Sequence, residues 1–189
     1  MARGYGWESG ASSFFHNAWF KDPAGIQISE IKEITENYQK LKALETCHPL
    51  VYKAARRFHS LRSLPRTSEL LVVGYFAIIE TLIAHKPRLQ ESLDSINHQL
   101  QSKMILLSKR FRRDFDYVLY FGNLGQEKIW KQLYAYRSAI AHDNSVDFNS
   151  EFKSLKNPTN VLMFLQEMVK SLLLLGLEEP VFLNDLKNC

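Results

Sequence analysis

One short run in this sequence combines residue types and spacing that could act on a phosphodiester: Arg137-Ser138-Ala139-Ile140-Ala141-His142. An imidazole can take the proton from a ribose 2′-hydroxyl or give one to a leaving 5′-oxygen. A guanidinium can stabilise the charge that builds on the phosphate. Together they could cut RNA, with the substrate's own hydroxyl as nucleophile. At about 100° per residue, Ile129, Trp130, Leu133, Tyr134, Tyr136, Ile140 and Ala141 fall on one broad apolar arc, with Arg137 in its middle. A cation there is costly unless it is paired or opens into a groove. Glu80 poses the matching problem, as the single interior acid of an otherwise apolar helix. The economical expectation is that Glu80 and Arg137 pair. Ser138 and His142 lie four residues apart and share one side of the helix, flanking the arc. A second reading of the same residues is structural: the histidine caps the last turn and the Arg–Glu pair braces the fold.

These side chains need helices to hold them. Residues 1 to about 27 are rich in Gly, Ser and aromatics and show no helical period. Phe14, Phe15, Trp19 and Phe20 predict that this segment docks on the domain or a partner. Residues 28–189 read as one domain. A first helix is expected over about Ser29–Thr46, with Ser29 as cap and Ile31, Ile34, Tyr38, Leu41 and Leu44 as its stripe. A second spans about Pro49–Leu61, with Pro49 in the favoured first turn. The third, about Thr67–His85, is apolar nearly all round, which marks the centre of a bundle. Pro87 ends it. The fourth, about Leu89–Phe111, carries Leu93, Ile96, Leu100, Met104 and Leu107. A short apolar piece, Phe115–Tyr120, leads to the turn at Gly122-Asn123-Leu124-Gly125. The fifth, about Gln126–His142, bears the Arg137 run. The last, about Pro158–Leu177, turns Val161, Leu165, Met168, Leu172 and Leu175 inward. Five to six such helices with short connections argue for an all-α, compact antiparallel bundle.

Composition agrees with that class. The chain has 189 residues, 46% apolar and 23% charged, ordinary for a globular protein. Cys47 and Cys189 form no CxxC pair, which argues against a disulfide framework or a cysteine-rich zinc site and for a reducing, cytoplasmic setting. His16, His48, His59, His85 and His98 show no metal-ligand spacing, so no metal or other cofactor is expected. No apolar stretch of secretory-signal type is visible from Met1 to Trp7. Val161–Leu177 contains Gln166, Glu167 and Lys170 and reads as a buried helix rather than a membrane span. The net charge of +4 and pI near 9.0 permit nucleic-acid binding. Lys109, Arg110, Arg112 and Arg113 form a dense basic run suited to RNA, and Arg56-Arg57 a smaller one. Such runs are also expected at solvated helix ends, where cations complement the dipole. Gly122–Gly125 is a turn rather than a phosphate loop, because no Lys-Ser/Thr follows.

The run Tyr134-Ala135-Tyr136-Arg137-Ser138-Ala139-Ile140-Ala141-His142 resembles the signature helix of the HEPN superfamily. It is most similar to the ApeA-like branch, whose pattern reads Leu-Tyr-x-x-Arg-Ser-x-Ile-x-His-Gly. Ile79-Glu80-Thr81-Leu82 resembles that branch's upstream Leu-Glu-x-Leu helix. The resemblance covers about Glu69 to Leu175 and leaves the first 60 or so residues unmatched. It implies a compact helical bundle that dimerises, and a metal-independent endoribonuclease whose composite site draws on the motif of each subunit. Members act in toxin–antitoxin, antiphage and RNA-processing systems, so an antitoxin or other regulatory partner is implied as well. Carried over by position, Arg137 is the motif arginine, His142 the motif histidine, and Glu80 the acid beside the arginine. Ser138 stands where many active members have Asn, Asp or His. Asp143 stands where the pattern has Gly, and an acid there would repel phosphate. Some HEPN proteins are inactive binding or scaffolding modules, which is the alternative the resemblance carries.

Overall fold

The computed structural model describes residues 27–87 and 95–189. Regular structure among them is helical: α1 (Ile28–Cys47), α2 (Pro49–Ser60), α3 (Leu70–Ile83), α4 (Ile96–Leu107), α5 (Tyr117–Phe121), α6 (Gln126–Ala141), α7 (Pro158–Glu178) and α8 (Pro180–Asn188). Single 3₁₀ turns at Leu61–Ser63 and Lys153–Leu155 interrupt the connections. The docking expected of residues 1 to about 27 lies outside the described residues. So does the first part of the expected fourth helix.

Proline and short polar caps set most boundaries. The residue before a proline is pushed out of the helical region. His48 accordingly adopts φ −137° and ends α1, while Pro49 opens α2. The Ser95, Asp116 and Asn157 side chains accept backbone N–H groups at the starts of α4, α5 and α7. Gly122, at φ 65°, stops α5 where a side chain would strain the backbone.

Four expectations need correction. The cap of α1 is Gln27, whose N–H donates to the Glu30 carboxylate, so Ser29 sits inside the first turn. The stripe of α1 holds in part: Leu44 is buried and Ile34 and Leu41 are half-buried, but Ile31 and Tyr38 are exposed and Asn37 is buried instead. The fourth helix stops at Leu107 rather than Phe111, because Ser108 turns back on Ile105 and the cationic residues that follow lie in turns. The helix count exceeds six, since the Phe115–Tyr120 piece is itself a short helix and α8 follows the last expected one.

α3 is the centre, as its all-round apolar character predicts. It packs against α2, α4, α6, α7 and α8. Val72, Phe76, Ile79, Leu82 and Ile83 are fully buried. Gly74 lets α3 approach the 3₁₀ turn: a Cβ there would sit 2.5 Å from Leu61 Cδ2. α7 is the second core helix, with Val161, Leu165, Met168, Leu172 and Leu175 all buried. Among the described residues it alone is long and apolar enough to cross a membrane, and 67% of that window is buried inside the bundle. Its Lys170 is buried and pairs with Glu167 at 2.7 Å.

An aromatic cluster fixes α6 on this frame. Phe164 of α7 lies 4.8 Å from Phe121, 5.2 Å from Phe115 and 5.9 Å from Trp130, centroid to centroid. Trp130 also meets Phe76 edge-on and donates its indole N–H to the Tyr117 hydroxyl at 3.2 Å. Burial pushes the Tyr117 phenol up to about 12, so it stays protonated at physiological pH. Six residues on, Tyr136 is fully buried between Phe148 and Phe152. With Trp130 and Tyr136 both locked, the rotation of α6 is set, and with it the direction of Arg137.

Candidate functional site

α6 buries Ile129, Trp130, Leu133, Tyr136 and Ala139. Tyr134, Arg137, Ser138 and Ile140 border this face at intermediate exposure, and Ala141 is exposed at the helix end. Arg137 therefore stands at the rim of the apolar arc rather than in its middle, with 25% of its side chain open to solvent.

Its guanidinium faces Glu80 of α3, Nη2 to Oε1, at 3.4 Å. The expected pair forms, but loosely. Glu80 Oε1 and Arg137 Nε are both buried without a hydrogen-bond partner. The Glu80 carboxyl titrates above its ordinary range, chiefly because burial penalises its charge, and Arg137 offsets this only in part. The Tyr134 ring lies one turn back on α6, 5.8 Å from the guanidinium carbon. That is near the outer limit of cation–π attraction. Sequence reasoning placed Tyr134 only in the apolar arc, although its i, i+3 spacing to Arg137 foreshadows the contact.

His142 is the C-cap of α6 and is exposed. Its imidazole makes no hydrogen bond among the described residues. Five helical steps of rise put it about 7–8 Å further along the axis than Arg137. The turn that follows is a Schellman motif: the Asn144 N–H donates to the Ala139 carbonyl at 2.9 Å and that of Asp143 to Ile140 at 3.3 Å. Asp143 takes φ 53°, the left-handed conformation this motif demands. The glycine that the signature pattern shows here thus has a backbone meaning. Asp is among the few other residues that tolerate the position. Ser138 is half-buried on the adjacent face.

The basic run divides. Arg110 pairs with Glu179 at 2.6 Å and lies over the Phe182 ring. Arg112 pairs with Glu33 at 2.7 Å and approaches Glu178 at 3.9 Å. Both arginines thus tie the turn after α4 to other helices. Lys109 and Arg113 are exposed and make no ion pair among the described residues. A contact that sequence reasoning missed lies across α3: Arg57 of α2 donates to the Thr81 hydroxyl at 2.8 Å, one residue past Glu80.

Two concavities lie elsewhere. One, of about 510 Å³, is lined by His59, Ser60, Arg62 and Ser63. The other, of about 320 Å³, lies between the α1–α2 junction and α8, beside Cys47 and Leu183. Among the described residues no three His, Cys, Asp or Glu side chains are grouped to hold a metal ion. The chain matches no family model, and no curated protein or solved structure is significantly similar to it.

Proposed function

We propose that this chain is a HEPN-type endoribonuclease that cuts single-stranded or loop RNA in a cleft shared by two copies. The observation that carries the reading is the Glu80–Arg137 pair at the rim of the core. The carboxylate holds the guanidinium in place at 3.4 Å, a loose contact that leaves donors of the fork uncommitted, and a quarter of the side chain stays open to solvent although its Nε is buried. A planar fork with donors to spare is suited to a phosphate.

The chemistry needs no metal-activated water. The ribose 2′-oxygen attacks the adjacent phosphorus, the bond to the 5′-oxygen breaks, and the products carry a 2′,3′-cyclic phosphate and a 5′-hydroxyl. His142 moves the proton at the 2′-oxygen or at the leaving oxygen, and Arg137 neutralises the charge gathered on the phosphate. In a two-fold dimer each protomer would supply one His142, so one could act as base and the other as acid. Toxin or antiphage defence is the setting such an activity suits, with an antitoxin as regulator.

The exposure of His142, which makes no hydrogen bond among the described residues, favours a second reading, in which the dimer binds RNA or protein without cutting. One assay separates the two: purified protein on a mixed RNA pool, with and without EDTA, beside His142→Ala. The nuclease reading expects EDTA-resistant cleavage, cyclic-phosphate ends, no attack on DNA, and loss of about 10²–10⁴-fold in rate for the variant. A folded His142→Ala protein that cuts as fast as the parent overturns it.

A further inference from the structure

The region from Thr46 to Ser68 contains Lys53, Arg56, Arg57, Arg62 and Arg66 and not one Asp or Glu. All five cations are exposed. Lys53, Arg56, Arg57 and Arg62 make no ion pair among the described residues, whereas Arg110 and Arg112 of the denser run rest on glutamates. Concentration of uncompensated charge therefore lies on α2 and the 3₁₀ turn behind it, not on the run the eye finds first.

A helix dipole accounts for part of this. Arg57 and His59 stand in the last turn of α2, where a cation is favoured. The effect fades within that turn. It does not reach Lys53, near the start of the helix, or Arg62, past its end. His59 and Arg62, with Ser60 and Ser63, line the open concavity of about 510 Å³. Half-buried Tyr52 precedes Arg56 by four residues and His59 by seven, so the three share one face.

We propose that this strip is the track on which single-stranded RNA lies, phosphates on Arg56, Arg62 and Lys53 and a base against Tyr52. The proposal rests on the RNA-directed reading above and says where the strand runs. Arginine forks suit phosphate oxygens, and an aromatic ring beside a cationic groove is the usual platform for unpaired bases. A lipid surface suits the strip less well. Val51, Ala54, Ala55 and Phe58, the apolar face of α2, are buried in the core and cannot enter a bilayer. Arg57 ties the strip to α3 through the hydroxyl of Thr81, the residue after Glu80.

The test uses the full chain carrying His142→Ala, so that bound RNA is not consumed, and measures anisotropy of a labelled single-stranded oligoribonucleotide. Arg56→Glu with Arg62→Glu should weaken binding by about ten- to hundredfold and reduce the slope of log affinity against log salt by about 1.4, two phosphate contacts' worth. Arg56→Gln with Arg62→Gln should act in the same direction, should the reversed charges disturb folding. Lys109→Glu with Arg113→Glu changes the net charge equally and should weaken binding less. Equal losses from the two pairs, or no loss from the first, overturn the proposal. So does binding to anionic phospholipid vesicles with none to RNA. RNA that binds through the strip but is never cut by the parent protein leaves the track standing and removes the nuclease reading.

Discussion

Glu80 and Arg137 meet at 3.4 Å across α3 and α6, opposite in charge and close enough for an ion pair, yet the facing Oε1 and the guanidinium Nε each lack a hydrogen bond. The attraction orients the guanidinium without saturating it. The carboxylate still pays for its burial, since its titration is displaced upward despite the cation beside it.

That displacement has a sign that can be measured. A carboxyl whose folded pKa lies above its unfolded value contributes stability below the unfolded value, and the contribution is lost as pH rises through the folded one. Glu80→Gln removes the cost of ionisation. The melting-temperature gap between this variant and the parent should therefore shift in the variant's favour as pH rises from about 4.5, the ordinary Glu value. A gap that shifts the opposite way would show that Arg137 overcompensates the burial.

Glu80→Ala should act differently, leaving both a cavity and an unpaired Arg137. Breaking a fully buried pair costs about 3–5 kcal/mol, and partial exposure here lowers the expectation to about 1–2 kcal/mol. Urea unfolding at neutral pH measures it, and an unchanged midpoint would mean the pair braces nothing.

Arg137→Lys keeps the charge and discards the planar fork. If the guanidinium binds phosphate through paired donors, cleavage should fall by about 10²–10³-fold while the melting temperature barely moves. Activity close to the parent's would reduce the role of Arg137 to a point charge.

Asp143 is held at φ 53° by the Schellman turn. Asp143→Gly should raise stability by about 1 kcal/mol, since glycine enters that region without penalty. It also removes an anion beside His142, so RNA affinity at low salt should rise. Loss of stability in this variant would show that the Asp side chain does more than occupy the turn.

A shared cleft requires self-association. Light scattering on the purified protein should give a dimer mass at micromolar concentration, and a monomer would remove the composite site.

How far these features can be read in advance depends on their range. α3 and α7 announce themselves because nearly every residue is apolar, and Glu80 stands out by contrast. The turn of α1 does not. Ile31 and Tyr38 fit the apolar period yet stay exposed, and Asn37 is buried where the helix packs against α2 and α7. Similarly, Ile129, Trp130, Leu133 and Tyr136 of the α6 arc were legible, but the burial of Ala139, the exposure of Ala141 and the place of Arg137 at the rim depend on how Trp130 and Tyr136 lock. The partners of Arg110 and Arg112 lie 69 and 79 residues away, beyond any local pattern. α8 is nine residues long, too short for periodicity to declare it.

The carbonyl end of α3 is held by two ammonium groups from distant helices. Lys187 of α8 donates to Thr81 O at 2.8 Å, and Lys103 of α4 donates to Ile83 O and Lys187 O, each at 3.1 Å. Both serve carbonyls of the last turn of the helix that carries Glu80, one of them that of the very next residue. The last turn of α3, where Glu80 stands, is thereby braced from α8, which sequence reasoning did not foresee. Opening of α8 should be felt as faster hydrogen exchange in the final turn of α3.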